Sequence, residues 1–272
     1  MGFDFIFGSS EDMSEKTIKY CNRCVNVSTR PDGIIFDDKG LCPACQFSIE
    51  REKYGIDFKA RRSELNEIVA WGKANSKSSY DCIVTVSGGK DSTRQAFFAR
   101  DELGLKPLLV SSVYPPEHQT DRGANNLGNL ISHGFDTVTI GVDPQVSKKL
   151  VRHAFFKYGN LFKSTELALY AIPIHVAIAY KIPLIFLGEN PLYTIGQQEG
   201  KSQGGNASGM RYSHTLQGGS PESLMSNDIT RRDTFFYRYP SDDDIEYANL
   251  KIIYIGYYIP DWSELNNAKF SI

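Results

Sequence analysis

Two sets of residues stand at spacings that could do chemistry. In the first, Ser87-Gly88-Gly89-Lys90-Asp91-Ser92-Thr93 follows the apolar run Cys82-Ile83-Val84-Thr85-Val86 and precedes Gln95-Ala96-Phe97-Phe98-Ala99-Arg100. The run lacks the alternation of a half-exposed strand and fits a central parallel strand covered on both faces. Gly88 and Gly89 permit a tight turn and close approach of backbone N–H groups to a ligand. Asp91, Ser92 and Thr93 fall where helix caps are favoured, and the unpaired amides of a first helical turn, with the positive end of the helix dipole, favour an anion. Strand, glycine turn and helix together describe a phosphate site. The kinase-type Gly-x-x-x-x-Gly-Lys-Ser/Thr string does not occur in the chain, so this phosphate site is of another kind.

The second set is Cys21-Asn22-Arg23-Cys24 and Cys42-Pro43-Ala44-Cys45, with 17 residues between the pairs. This is the spacing of a zinc site, in which each pair presents two thiolates and four thiolates close a tetrahedral structural centre. An iron–sulfur cluster is the competing occupant. Two disulfides fit poorly, because the first 20 residues carry no secretory signal and reducing compartments keep thiols free. Between the pairs, Arg30 to Gly40 reads as a turn, a short strand and a second turn. That is a zinc ribbon, and a module so small takes its folding free energy from the metal, on the order of 10 kcal/mol or more.

The elements that must position these residues follow from the rest of the chain. Its 272 residues can bury one large core beside a small module. The net charge of −2, from 30 basic and 32 acidic residues, argues against a nucleic-acid partner. From Phe47 to about Lys77 the pattern is helical, with Leu65, Ile68, Val69 and Trp71 as an apolar stripe. Beyond the glycine turn, strands are expected at 108–113, 137–142, 184–187 and 251–257, and helices at 125–133, 146–156 and up to about Lys181. Strands alternating with helices imply an α/β fold with a doubly wound, parallel, five-stranded sheet. The apolar stretch 167–187 holds His175, Lys181, Pro173 and Pro183 and is too interrupted for a membrane span. The chain therefore divides into a flexible tail (1–18), the zinc ribbon (19–50), a connecting helix (51–79), the main domain (80–262) with a long insertion (191–249), and a last segment (263–272).

In doubly wound sheets ligands bind beyond the carboxyl ends of the strands, at a switch point. Those ends carry Ser87 to Asp91, Ser111 to Tyr114, and Glu189-Asn190, a carboxylate and an amide suited to magnesium or a substrate hydroxyl. His118, His133 and His175 read as surface or packing residues. The insertion is rich in Gly, Ser, Gln and Asn, and loops of that length are functional or mobile. Its Tyr193, Lys201, Arg211, His214, Arg231 and Arg232 would suit a phosphorylated sugar or nucleotide.

The Ser-Gly-Gly-x-Asp-Ser string resembles the PP-loop of the ATP pyrophosphatases, which cleave ATP between the α and β phosphates and leave an adenylated substrate. The PP-loop together with Cys21-Asn22-Arg23-Cys24-Val25, Pro31 to Asp37, Cys42-Pro43-Ala44-Cys45 and Gly188-Glu189-Asn190-Pro191 resembles the WbpG- and PseA-like N-acetyl sugar amidotransferase family, over nearly the whole chain. The resemblance implies an HUP-like fold and a cytoplasmic enzyme of bacterial surface-glycan synthesis (lipopolysaccharide O-antigen or flagellin glycan). Its reaction would convert an acetamido group of a nucleotide-activated sugar to an acetamidino group. It implies ATP, Mg2+ and structural Zn2+, and ammonia from a glutaminase subunit through a cyclase-like channel subunit (HisH/HisF-like). Ser87, Gly88, Gly89, Asp91, Ser92, Thr93 and Ser111 would hold the nucleotide. Lys90, Asp91, Glu189 and Asn190 would serve catalysis, and Cys21, Cys24, Cys42 and Cys45 the metal. It also implies a further C-terminal helical region, of which 263–272 would be the truncated start. No side-chain nucleophile is needed, in keeping with the lack of a Cys-His or Ser-His-Asp constellation. Two other readings are a tRNA-thiolating PP-loop enzyme and a non-catalytic zinc-ribbon interaction protein.

Overall fold

The structure is a computed structural model that describes residues 17–29, 34–115, 119–189, 192, 196, 204–212, 216, 218–226 and 228–271. Five strands form one sheet: β1 (Cys82–Thr85), β2 (Pro107–Val113), β3 (Thr137–Gly141), β4 (Leu184–Leu187) and β5 (Lys251–Tyr254). Their order is β3-β2-β1-β4-β5, and every neighbouring pair is parallel. Ile83 stands opposite both Leu108 and Ile185, which fixes the register at the centre.

Helices cover both faces, as the non-alternating strands require. On one face Ile83, Leu108, Val110, Ile185 and Ile252 pack with Leu150 of α5 (Pro144–Tyr158) and with Leu167 and Ile172 of α6 (Lys163–Tyr180). On the other, Cys82, Val84, Leu109, Phe186 and Ile253 pack with Leu65, Ala96 and Leu130. Leu65 belongs to α2 (Phe58–Asn75), Ala96 to α3 (Lys90–Phe97) and Leu130 to α4 (Asp121–Ser132). The chain leaves β1 toward β2 and β3, then returns across the sheet through α5 and α6 to β4. The switch point therefore lies between β1 and β4.

The helical stretch expected from Phe47 resolves into two helices. The first, α1 (Pro43–Tyr54), starts at the second cysteine pair with Pro43 in its first turn, where a missing N–H costs nothing, and stops at Gly55. In the ribbon Tyr20 and Val27 form an antiparallel bridge. Ile34 to Phe36, expected as a strand, pairs with no described strand, and Ile34 and Phe36 instead pack against the cysteines.

The segment after β4 is less loop-like than its composition suggests. Its described residues form short 3-10 turns and the helix α7 (Asp242–Tyr247), capped reciprocally by Ser241 and Asp244. Ala207, Leu216, Leu224, Ile229, Tyr237 and Tyr239 are buried in the core shared with α5 and α6. The last helix, α8 (Glu264–Phe270), lies on α3, with Phe270 edge-on to Phe97 and Arg94 paired to Asp261 at 2.7 Å. Among the described residues no helix is long and apolar enough to cross a membrane.

Candidate functional site

The glycine turn sits at the carboxyl end of β1, at the switch point. Gly88 has φ +79, and a Cβ there would lie 2.7 Å from the Leu127 backbone nitrogen and 2.9 Å from the Asn126 carbonyl carbon. Only glycine allows the loop to press against α4 in this conformation. Gly89 is the N-cap of α3, so Lys90, Asp91 and Ser92 form its first turn, and their amides have no intrahelical acceptor. The Ser92 hydroxyl donates to the Gly89 carbonyl at 3.0 Å and accepts from the Ser87 amide at 3.3 Å, fixing the loop's curvature.

This loop borders a cleft of about 220 Å³, lined among others by Ser87, Asp91, Ser92, Gln95, Ser112 and Glu189. Asp91 is held by the Lys90 ammonium at 2.8 Å and the Asn267 side-chain amide at 2.7 Å. Gln95, which lines the cleft, donates to the Thr85 carbonyl, while its own side-chain oxygen is buried and has no partner among the described residues.

Glu189 follows β4 on the far wall, where the Tyr170 hydroxyl donates to it at 3.1 Å. Glu189 as a residue is exposed, although dense protein surrounds its carboxyl group. Withdrawal from bulk water pushes its pKa above the ordinary carboxylate range, the Tyr170 bond pulls it back, and the charge of Asp91 pushes it up again. Tyr170 is raised as well, first by burial and then by the Glu189 charge. Two carboxylates repelling each other across a phosphate-sized cleft are hard oxygen donors that suit Mg2+. The cleft continues into a cavity of about 140 Å³ between the ends of β2 and β3, lined by Val113, Tyr114, Pro115, Val142 and Tyr237.

Ser87, Asp91, Ser92 and Glu189 therefore converge on one cleft, while Gly88 and Gly89 form the turn between Ser87 and α3 and do not themselves line it. Lys90 reaches it only through Asp91, and neither Lys90 nor Thr93 lines it. Ser111 is 2% exposed and absent from the lining, where Ser112 stands instead. Successive strand residues face opposite sides, so the two serines cannot both enter. Asn190, Pro191, Tyr193, Lys201, His118 and His214 lie outside the described residues. Ser112 belongs to the strand end Ser111 to Tyr114 where a ligand was expected, whereas Gln95, Tyr170 and Asn267 join the site without having been expected there. Ser112 and Gln95 carry a local signal, being a polar residue in an apolar strand and an amide one turn along the loop's helix.

Cys21, Cys24, Cys42 and Cys45 bring their sulfurs within 4.8 Å of one another, and Cys24 and Cys42 are 3.7 Å apart. A single tetrahedral ion with sulfur at about 2.3 Å sets sulfur–sulfur edges of ~3.8 Å. The four residues fit one zinc ion. N–H groups already point at the sulfurs: Arg23 and Cys42 amides to Cys21 (3.4 and 3.3 Å), the Asn26 amide to Cys24 (3.4 Å) and the Asn26 side chain to Cys42 (3.3 Å). Burial opposes ionisation of Cys21, but the amides of Cys42, Arg23 and Cys24 outweigh it and its pKa falls to about 6. Burial raises Cys24 and Cys45, and the neighbouring sulfurs raise Cys45 further. A divalent cation would remove that mutual opposition.

No protein-family model matches the chain. It is 30% identical over 113 residues to an uncharacterized protein of Methanocaldococcus jannaschii, and the match covers 42% of the chain and 39% of that relative's length. Among solved structures it is similar to the NH3-dependent NAD synthetase of Campylobacter jejuni, with a TM-score of 0.39, 12% identity and coverage of 50% of this chain and 58% of that one. The NMN synthetase of Francisella tularensis has a TM-score of 0.38 at 13% identity, covering 71% and 93% of the two chains. The NAD+ synthetase of Burkholderia pseudomallei has a TM-score of 0.33 at 16% identity, covering 79% and 98%.

Proposed function

We propose that this protein is an ATP-dependent amidotransferase that forms AMP and pyrophosphate, and that its substrate is an acetamido group on a nucleotide-activated sugar in surface-glycan synthesis. One observation carries the reading. A glycine loop pressed onto α4 brings the first turn of α3, with Asp91 and Ser92, to a cleft that Ser87 and Glu189 also line. In this reading the loop amides, Ser87 and Ser92 hold the phosphates, and the apolar cavity beyond Ser112 takes the base. Lys90, which pairs with Asp91 outside the cleft, would have to turn from that pair to offset charge developing on the departing pyrophosphate. Mg2+ held by Asp91 and Glu189 would neutralise phosphate charge.

The amide oxygen attacks the α phosphorus, the bond to pyrophosphate breaks, and the oxygen becomes a leaving group. Ammonia adds at the carbon, and AMP departs as the amidine forms. Ammonia would come from a glutaminase partner through a cyclase-like subunit. Outside the cysteine cluster the chain has only Cys82, which is fully buried in β1 and whose thiol burial pushes up. It offers neither a glutaminase nucleophile nor a sulfur carrier for tRNA thiolation.

The test is mass spectrometry of the protein incubated with ATP, Mg2+, concentrated ammonium and nucleotide-linked acetamido sugars. AMP and pyrophosphate should appear with replacement of one oxygen by NH in one sugar. Protein that binds ATP but forms no AMP with any acetamido sugar, with or without its ammonia-supplying partners, contradicts the reading.

A further inference from the structure

The segment after β4 encloses a second cavity, of about 1010 Å³, that adenylation leaves without a role. Four guanidinium groups line it: Arg211, Arg231, Arg232 and Arg238. Two of them are held. Arg211 donates to Asp242 at 2.9 Å and to the Gly218 carbonyl at 2.8 Å, and Arg238 donates to Glu222 and to the Thr234 hydroxyl. Arg231 and Arg232 are exposed, and neither side chain has a carboxylate partner among the described residues. Two acidic groups stand nearby. Asp244 lines the cavity but accepts from the Ser241 hydroxyl and amide at 2.6 and 3.1 Å, and Asp233 accepts from the Thr230 amide and hydroxyl at 2.8 and 2.7 Å. Among the described residues neither guanidinium is thus taken up by an ion pair, although, after the Thr230 bonds, the Arg232 charge helps hold the Asp233 carboxyl below its ordinary range.

The cavity is built on a firm base. Thr234, Tyr237 and Tyr239, which follow the two arginines, are 0%, 2% and 4% exposed. Gly219 has φ +72, and a Cβ there would meet the Tyr239 Cβ at 2.4 Å, so the opposite wall is closely packed. Phe235 is 54% exposed and backed by the His175 ring, with centroids 4.4 Å apart. His175 is pinned in turn by the Arg238 carbonyl at 2.9 Å. A flat ring presented on a rigid backing in a cavity also lined by the exposed guanidiniums of Arg231 and Arg232 suits a ligand with an aromatic ring and phosphate oxygens. The site is distinct from the glycine-loop cleft. Tyr170 and Pro173 of α6 line that cleft and His175 lines this cavity, about 140° further round the helix than Tyr170.

We propose that this cavity is a second ligand site, for a phosphorylated molecule carrying a planar ring, the chemistry of a nucleoside diphosphate. The proposal stands on these side chains and not on the adenylation reading, and its readout is binding rather than AMP formation. The test is isothermal titration of the full chain with uridine diphosphate and, separately, inorganic pyrophosphate, with hydrogen–deuterium exchange to locate the bound ligand. Uridine diphosphate should protect peptides covering 228–241. Arg231→Gln/Arg232→Gln, whose altered side chains are exposed and whose fold is checked by its thermal melt, should bind on the order of 100-fold more weakly and lose that protection. Phe235→Ala should weaken uridine diphosphate several-fold and leave pyrophosphate unchanged. Unchanged affinity in the double variant, protection confined to 86–95, or no binding by the folded wild type would overturn the site. Equal affinity for pyrophosphate and uridine diphosphate would overturn the ring assignment.

Discussion

Gly88→Ala tests the geometry on which the phosphate cleft depends. Two costs arise and can be separated. A non-glycine residue at φ +79 pays about 1–2 kcal/mol for the left-handed conformation. The new methyl would also lie 2.7 Å from the Leu127 nitrogen and 2.9 Å from the Asn126 carbonyl carbon, and both are helix backbone that cannot swing away. Overpacking of this kind costs about 1–3 kcal/mol. The sum of roughly 2–5 kcal/mol should lower Tm by about 5–15 °C in a chain of this size. Gly134→Ala is the control, because Gly134 has φ +84 but a Cβ there would meet nothing within 4 Å. It should show the conformational cost alone, roughly 2–8 °C. Scanning calorimetry of the two variants side by side gives the difference, and AMP formation should fall on the order of 100-fold only in Gly88→Ala, where the loop must move. Equal Tm losses would show that the loop is not pressed against α4 and would refute the argument.

Three further outcomes follow from single groups. Asn26→Ala removes the side-chain N–H on Cys42 and should weaken zinc binding about 10–100-fold in chelator competition, with the four cysteines intact. Glu189→Gln should abolish AMP formation yet raise Tm at neutral pH. The native carboxyl titrates above its unfolded value of about 4.3, so the native state holds more protons in that interval and wild-type stability falls as pH rises through it. The variant's advantage should vanish in melts at acid pH. For His175 burial lowers the pKa, so the native state holds fewer protons than the unfolded chain and stability falls as pH drops below about 6.5. The difference between melts at pH 5 and pH 7 should be smaller in His175→Gln than in wild type.

Legibility in the sequence divides by the range of the interaction. The cysteine pairs and the glycine loop depend on residues within a turn of one another, so spacing and residue type carry them. Four of the five strands are legible as short apolar runs between breakers, where two-sided burial erases alternation, and the edge strand β3, Thr-Val-Thr-Ile-Gly, is legible by its alternation instead. The same erasure hides the choice between Ser111 and Ser112. In Leu108 to Val113 neither face is polar throughout, and only pairing of Val110 with both Thr85 and Val138 decides which serine turns toward the cleft.

The insertion misleads for a different reason. Its glycines and serines dominate the composition, but its fold is set by a few large anchors, Tyr237, Tyr239 and Leu224, whose burial depends on α5 and α6 being in place. Asn267 is the limiting case. It bonds Asp91 across 176 positions, and in its own segment it is one polar residue of a short helix beginning Glu264-Leu265-Asn266. A side chain fully buried against the glycine-loop helix, with its own carbonyl oxygen unpartnered among the described residues, is costly unless it does something there. Holding Asp91 in place beside the cleft is that use, and it ties the last helix to the phosphate loop.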